Sequence, residues 1–245
     1  INLILPELKA IPSVLAAWEG GSAANNSLDE YSDLDLCFLS SNDGEFIFTN
    51  IENALPSLII EHSWKITESN FSGIKKRIYV FKDSPKHFFL DISIFPNSPT
   101  SFLEEILEVE RHGTPKIYFD KNDKLKTRNG DLIKLKGKFQ KRIEEIIQSF
   151  PIYKTIVLKE VERGNALDAL GFYQGGLIKP LIEVLGMVYR PYQYDFGLRY
   201  INKFFPIEIQ RQLNKICYVS LSEELPDRII EIEILLNQAL IQIET

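Results

Sequence analysis

Cysteine is nearly absent from this chain: Cys37 and Cys217 are the only two in 245 residues, and no Cys-x-x-Cys pair occurs. That excludes a disulfide-stapled scaffold and a cysteine-ligated zinc site. Histidine is almost as scarce, and His62, His87 and His112 lack the spacing of a metal site. No apolar run reaches the roughly 18 residues that span a bilayer. The reading is therefore of a soluble protein in a reducing, cytoplasmic setting. Positive charge is also in short supply, with 28 Lys and Arg against 34 Asp and Glu and a net charge of −6. Nucleic-acid binders carry a basic footprint, so an RNA or DNA partner is disfavoured, whereas a cationic small molecule is not repelled. No internal repeat or low-complexity segment is present.

What is there has two textures. Up to about Asp123, short β-like runs such as "SVLAAWE", "LDLCFL", "LIIEHSWKI", "IKKRIYVF", "HFFLDISIF" and "PKIYF" alternate with helical ones, "INLILPELKA", "EFIFTNIENAL" and "SFLEEILEVERH". That alternation predicts a mixed sheet with helices packed on it. From Leu132 onward, "LIKLKGKFQKRIEEIIQSF" and "DRIIEIEILLNQALIQI" repeat apolar residues at helical spacing, which predicts a helical bundle. The polar stretch "DKNDKLKTRNGD" reads as the linker. The fold class is α+β, with a sheet domain over 1–125 and a helical domain over 126–245.

The chemistry concentrates in Gly20 to Phe38, "GGSAANNSLDEYSDLDLCF". On a strand, Asp33, Asp35 and Cys37 share one face and Leu34, Leu36 and Phe38 the other. With the apolar face taken by the core, two carboxylates are displayed together and repel unless a cation neutralises them. Mg²⁺, a hard ion that takes oxygen ligands, is the natural partner; the plain alternative is a solvated surface. Upstream, Gly20, Gly21 and Ser22 end an apolar strand, so backbone N–H groups can turn toward an anion with no side chain in the way. A third carboxylate, Asp91, interrupts the apolar strand "HFFLDISIF", a position that costs free energy unless the group is paired, ligating or at an edge. The turn "KDSPK" makes this strand a hairpin with "IKKRIYVF" that can pack beside the Asp33 strand.

This pattern resembles the DNA polymerase beta-like nucleotidyltransferase superfamily, whose signature is Gly-Ser, a spacer, Asp-x-Asp on a strand, and a third carboxylate on a later strand. It is most similar to the small-molecule branch that includes aminoglycoside adenylyltransferases. Gly21, Ser22, Ala24, Ser32, Asp33, Asp35 and Leu36 match in register, and the motif's later glycine is Asn26 here, a residue type that tolerates the left-handed conformation. The resemblance implies that Gly21 and Ser22 hold the phosphates of a nucleoside triphosphate, ATP foremost. It implies further that Asp33 and Asp35 bind Mg²⁺, and that Asp91 shares a second ion or acts as base. In some relatives a glutamate is the base, which brings in Glu61 and Glu160. Relatives also carry a helical domain that closes over the sheet, and Glu160, Arg163, Asp168, Tyr173 and Lys179 fall where its acceptor-facing polar residues lie. Glu160, Asp168 and Tyr173 are the candidate acceptor contacts, each also readable as a solvated or intrahelically paired residue.

The expected activity is transfer of a nucleoside monophosphate to a hydroxyl of a small molecule, an aminoglycoside-like antibiotic among the possibilities. The alternatives are a transferase acting on a macromolecule, either a protein-adenylylating antitoxin or a tRNA-directed enzyme, and a nucleotide-binding relative without catalysis. The basic clusters "IKKR" and "KLKGKFQKR" read as solvated faces, and Cys37 as a small residue beside the site.

Overall fold

Val-Leu-Ala-Ala-Trp-Glu is a continuous apolar run that ends in a charge, the pattern of a strand covered on both faces. In the computed structural model it forms β1 (Val14–Glu19), and every residue of it is buried. The structure describes residues 1–55, 58–66, 73–97, 103 and 106–244. They divide into two compact units, Ile1–Gly130 and Asp131–Thr245, slightly beyond the 125/126 boundary read from sequence. Arg128 and Gly130 account for the shift: the Arg128 amide donates to the Leu107 carbonyl and its carbonyl accepts from the Val109 amide, each at 3.0 Å, and the Gly130 amide donates to Glu110 Oε2 at 2.7 Å.

Around β1 the first unit runs α1 (Leu5–Ala10), α2 (Gly21–Ala24), β2 (Leu34–Ser40), α3 (Glu45–Ala54), β3 (Ile60–Ile66), β4 (Lys75–Phe81), β5 (Leu90–Pro96), α4 (Val109–His112) and β6 (Lys116–Asp120). The six strands form one sheet in the order β3-β4-β5-β2-β1-β6. β2 and β5 are parallel and the other neighbours antiparallel, so the sheet is mixed and the fold α+β. Of the helix expected over 101–112, residues 103 and 106 and α4 are helical, and residues 101, 102, 104 and 105 lie outside the described residues.

Strand alternation sorts the side chains into two cores. Leu36, Phe38, Tyr79, Ile92 and Ile94 meet Ile47, Phe48 and Ile51 of α3, with Ile4 and Leu8 beside them. On the other face Trp18, Leu39 and Phe95 meet Leu107 and Leu125, with the Trp18 and Phe95 rings 5.3 Å apart. Each large apolar side chain buried this way contributes about 1.5–3 kcal/mol, which anchors β1, β2 and β5 as the rigid centre. β3, by contrast, is an edge strand exposed along nearly its whole length.

The second unit starts where Asp131 caps α5 (Leu132–Glu162), its Oδ1 accepting from the Ile133 and Lys134 amides at 3.0 Å each. Such a cap satisfies donors that the first helical turn leaves without partners. Phe139, Ile146, Phe150 and Val157 form the buried stripe of α5. The helix continues beyond the periodic run 132–150, through Pro151, because packing of that stripe outweighs the one backbone hydrogen bond that proline removes. There follow α6 (Ala166–Tyr173), a π-helical turn at Gln174–Ile178, α7 (Lys179–Tyr189), α8 (Ile201–Phe204), α9 (Ile207–Cys217) and α10 (Leu225–Glu244). Gly176 in the π turn lies against Tyr153, and a Cβ there would come within 2.8 Å of the tyrosine Cβ. Tyr173, Leu177, Leu181, Ile232 and Leu236 complete the core with Ile146 and Val157. Arg142–Glu183 at 2.6 Å and Lys154–Glu233 at 2.7 Å tie α5 to α7 and α10. Among the described residues no helix is long and apolar enough to cross a membrane.

Candidate functional site

The parallel pairing of β2 with β5 is what assembles the site. Its register sets Leu34 beside Leu90, Asp35 beside Asp91 and Cys37 beside Ser93. Neighbouring strands lie about 4.8 Å apart and same-row side chains share a face, so the Asp35 and Asp91 carboxylates stand side by side. Their face is opposite to the one that buries Leu36, Phe38 and Ile92. Of the three aspartates expected to share a face, these two are brought into one row.

Asp33 differs from expectation in a detail that matters. It precedes β2 instead of lying within it, and its Oδ1 accepts from the Phe89 amide at 3.0 Å while the Leu34 amide donates to the Phe89 carbonyl at 3.1 Å. Asp33 thus stitches the start of β2 to the start of β5. Asp91 is also engaged, with its Oδ2 2.7 Å from the Lys76 ammonium. Its other oxygen, Oδ1, is buried with no hydrogen-bond partner. Among the described residues no three His, Cys, Asp or Glu side chains are gathered closely enough to hold an ion, which agrees with Asp33 and Asp91 each being held by its own neighbour.

The glycine turn meets the aspartates directly. Gly21 has φ +56°, and a Cβ built on it would lie 2.7 Å from Asp35 Cγ and closer still to the carboxylate oxygen. The Asp35 carboxylate therefore occupies the space that any other residue's side chain would fill, and only glycine also tolerates this backbone freely. The Gly20 amide donates to the Asp35 carbonyl at 3.0 Å, clamping the turn to β2. α2 is a single turn, so it offers backbone N–H groups near Ser22 more than a helix dipole. Asn26 adopts φ +49°, the left-handed conformation expected of the residue that replaces the motif glycine. Asn25 Nδ2 donates to the Gly21 carbonyl at 2.8 Å, and the Thr114 amide to the Ala24 carbonyl at 2.9 Å. Both hold the turn in place. The spacer closes on itself through Asp29 and Ser32: the Asp29 amide donates to Ser32 Oγ, and Ser32 Oγ donates to Asp29 Oδ1, each at 2.8 Å.

The electrostatics match this placement. The Cys37 thiol is pushed far above its ordinary range, first by burial and then by the Asp35 and Asp91 charges, with Lys76 opposing. Cys37 is thus a neutral residue one row behind the aspartate pair, as its size suggests. Glu19, at the end of β1, is buried, and its Oε2 accepts from the Tyr118 hydroxyl and lies 3.4 Å from Lys116 Nζ. That contact fixes the β1 end from which the turn departs.

Lys76 is a residue of the aspartate face that reading the sequence misses. "IKKR" is not a solvated cluster: Lys75 pairs with Asp43 and Glu45, Arg77 with Glu52 and Glu45, and Lys76 with Asp91. Alternation along β4 is the signal that could have found it, since it separates Lys76 from Lys75 and Arg77.

Glu61 does not join these residues. Glu61 lies exposed on edge strand β3, with β4 between it and β5. Glu160 is buried at the α5–α6 corner, where Arg163 Nη1 at 2.9 Å and Asn165 Nδ2 at 2.8 Å occupy both oxygens; Asn165 and then Arg163 hold its carboxyl below the usual range. Tyr173 is corrected outright as an acceptor contact, because it is fully buried and its hydroxyl donates to the Ile216 carbonyl at 2.8 Å. Asp168 is exposed in the first turn of α6. No protein-family model matches the chain and no curated protein matches it, so the functional reading rests on the residues of this site.

Proposed function

We propose that the chain is a nucleotidyltransferase that moves a nucleoside monophosphate, AMP from Mg-ATP, to a hydroxyl of a small molecule. The observation that carries this reading is the bare Gly21 Cα seated on the Asp35 carboxylate, with Asp91 beside it in parallel register. A phosphate-sized anion on the Gly21–Ser22 turn would then lie next to two carboxylates, an arrangement that makes sense only with a cation between them. The residues fit Mg²⁺: oxygen donors alone, one of them, Asp91 Oδ1, buried and without a partner. Asp35 and Asp91 would hold the ion, and Asp33, whose Oδ1 is taken by the Phe89 amide, would have only its second oxygen to add. When bound, the ion would neutralise charge on the phosphates and make the α-phosphorus more susceptible to attack.

In the reaction the acceptor hydroxyl oxygen forms a bond to the α-phosphorus, the bond to the β-phosphate oxygen breaks, and pyrophosphate leaves. The hydroxyl proton passes to water, because Asp91 Oδ2 is held by Lys76 and its Oδ1 is the oxygen offered to the ion, and Glu61 stands on edge strand β3 with β4 between it and β5. Gly21 and Ser22 orient the leaving phosphates through backbone N–H groups. An aminoglycoside-like polyamine sugar suits the net charge of −6. Incubating the full chain with labelled ATP, Mg²⁺ and a panel of hydroxylated small molecules tests the reading. Pyrophosphate release that depends on one acceptor and is lost in Asp35→Asn is expected, and release indifferent to the acceptor and to Asp35 would contradict it.

A further inference from the structure

The ammonium on Asp91 is built in by the strand that carries it. β4 holds three consecutive basic residues, and alternation sends Lys75 and Arg77 to the α3 face, where Glu45 and Glu52 receive them. Lys76 alone is left for the aspartate face. The β4–β5 register pairs Lys76 with Ser93 and Ile78 with Asp91, while β2–β5 pairs Ser93 with Cys37. Lys76, Ser93 and Cys37 therefore form the row directly behind Asp91 and Asp35, and Lys76 reaches forward to Asp91 Oδ2 at 2.7 Å. The Asp91 side chain is only 15% exposed. Its Oδ1 is left buried and unpartnered.

We infer that Lys76 takes the place of a second divalent ion, so that this site works with one Mg²⁺ per chain. The inference rests on the nucleotidyltransferase reading and deepens it. Two-ion sites set their cations about 3.5–4 Å apart, one toward each of the entering and leaving oxygens. Here a fixed ammonium already sits on the carboxylate that would share the second ion. Lys76 is a positioning residue in this account. It holds Asp91 with Oδ1 directed away from the ammonium and stabilises the carboxylate without ligating anything itself.

The test counts Mn²⁺ bound to the full chain by electron paramagnetic resonance, with α,β-methylene-ATP equimolar to protein. One ion per chain is expected for the wild type and for Lys76→Arg, and two for Lys76→Met, whose Asp91 has lost its fixed cation. Two ions on the wild type would overturn the inference without any variant, as would a single ion on a folded Lys76→Met. Failure of the analogue to bind the wild type at all would instead overturn the nucleotide reading, and this inference with it.

Discussion

Gly21 and Gly20 are adjacent and chemically identical, yet they should respond oppositely to one methyl group. At Gly21 a Cβ strikes the Asp35 carboxylate on a left-handed backbone, whereas at Gly20 it meets nothing within 4 Å. The left-handed conformation alone costs a non-glycine residue about 1–2 kcal/mol, and displacing Asp35 adds to that. Gly21→Ala is therefore expected to lower the melting temperature by several degrees and to weaken Mg-ATP binding by tenfold or more. Gly20→Ala should stay within about 0.5 kcal/mol of wild type. Scanning calorimetry of the two variants checks this, and equal melting temperatures would remove the close contact between the turn and Asp35. Tyr173→Phe is a second single-residue test: losing the buried bond to the Ile216 carbonyl is expected to destabilise the helical unit by about 1 kcal/mol. It should leave the acceptor KM unchanged, and a raised KM would return Tyr173 to the acceptor site.

Strand alternation makes half of the site legible in the amino-acid sequence. It puts Asp35 and Cys37 opposite Leu36 and Phe38, and Asp91 opposite Ile92, the arrangement the strands adopt. The same rule separates Lys76 from its basic neighbours, but alternation does not say which strands pair, and the partner of Lys76 follows only from β5 lying between β4 and β2. The Asp-x-Asp pattern continues the strand period and makes Asp33 look like a strand residue; the Phe89 amide captures it just before pairing starts. Helices are harder. Helical spacing says that α6 has an inward stripe but not that Tyr173 lies on it, and no periodicity marks Glu160 as the residue that bonds around a corner to Asn165. Glu160→Ala is accordingly expected to lower the melting temperature and weaken the α5–α6 junction, with the acceptor KM unmoved; a KM effect at unchanged stability would contradict that role.

At the scale of the whole molecule, the perturbed titrations set a stability plateau. On the acid side Asp43, Glu45 and Asp120 in the sheet unit and Glu160 and Glu231 in the helical unit are held below their ordinary values. A carboxylate with a lowered folded value contributes stability above its unfolded value and loses it as pH falls through the folded one. Both units should therefore weaken below about pH 4.5, the ordinary glutamate value. On the alkaline side Cys37, Tyr79 and Tyr118 in the first unit and Tyr173 and Cys217 in the second are raised, chiefly by burial. The folded chain then keeps protons that the unfolded chain releases, so stability declines above about pH 9, the ordinary thiol value. Melting curves across this range should be flat between the two limits, and a melting temperature still rising past pH 9 would contradict the burial of these groups. The division into a mixed-sheet unit and a helical unit is legible as a change of period near the linker; its position is not, because the backbone bonds that tie Arg128 and Gly130 to residues 107–110 leave no mark in the amino-acid pattern. The proposed function requires that the Gly21–Ser22 turn and the Asp35–Asp91 pair form one metal-dependent phosphate site. Titration calorimetry of the full chain with ATP tests it most directly: saturable binding in Mg²⁺ that weakens at least tenfold in EDTA, and likewise in Asp35→Asn, is expected, while equal affinity with and without Mg²⁺, or no binding in either, would contradict it.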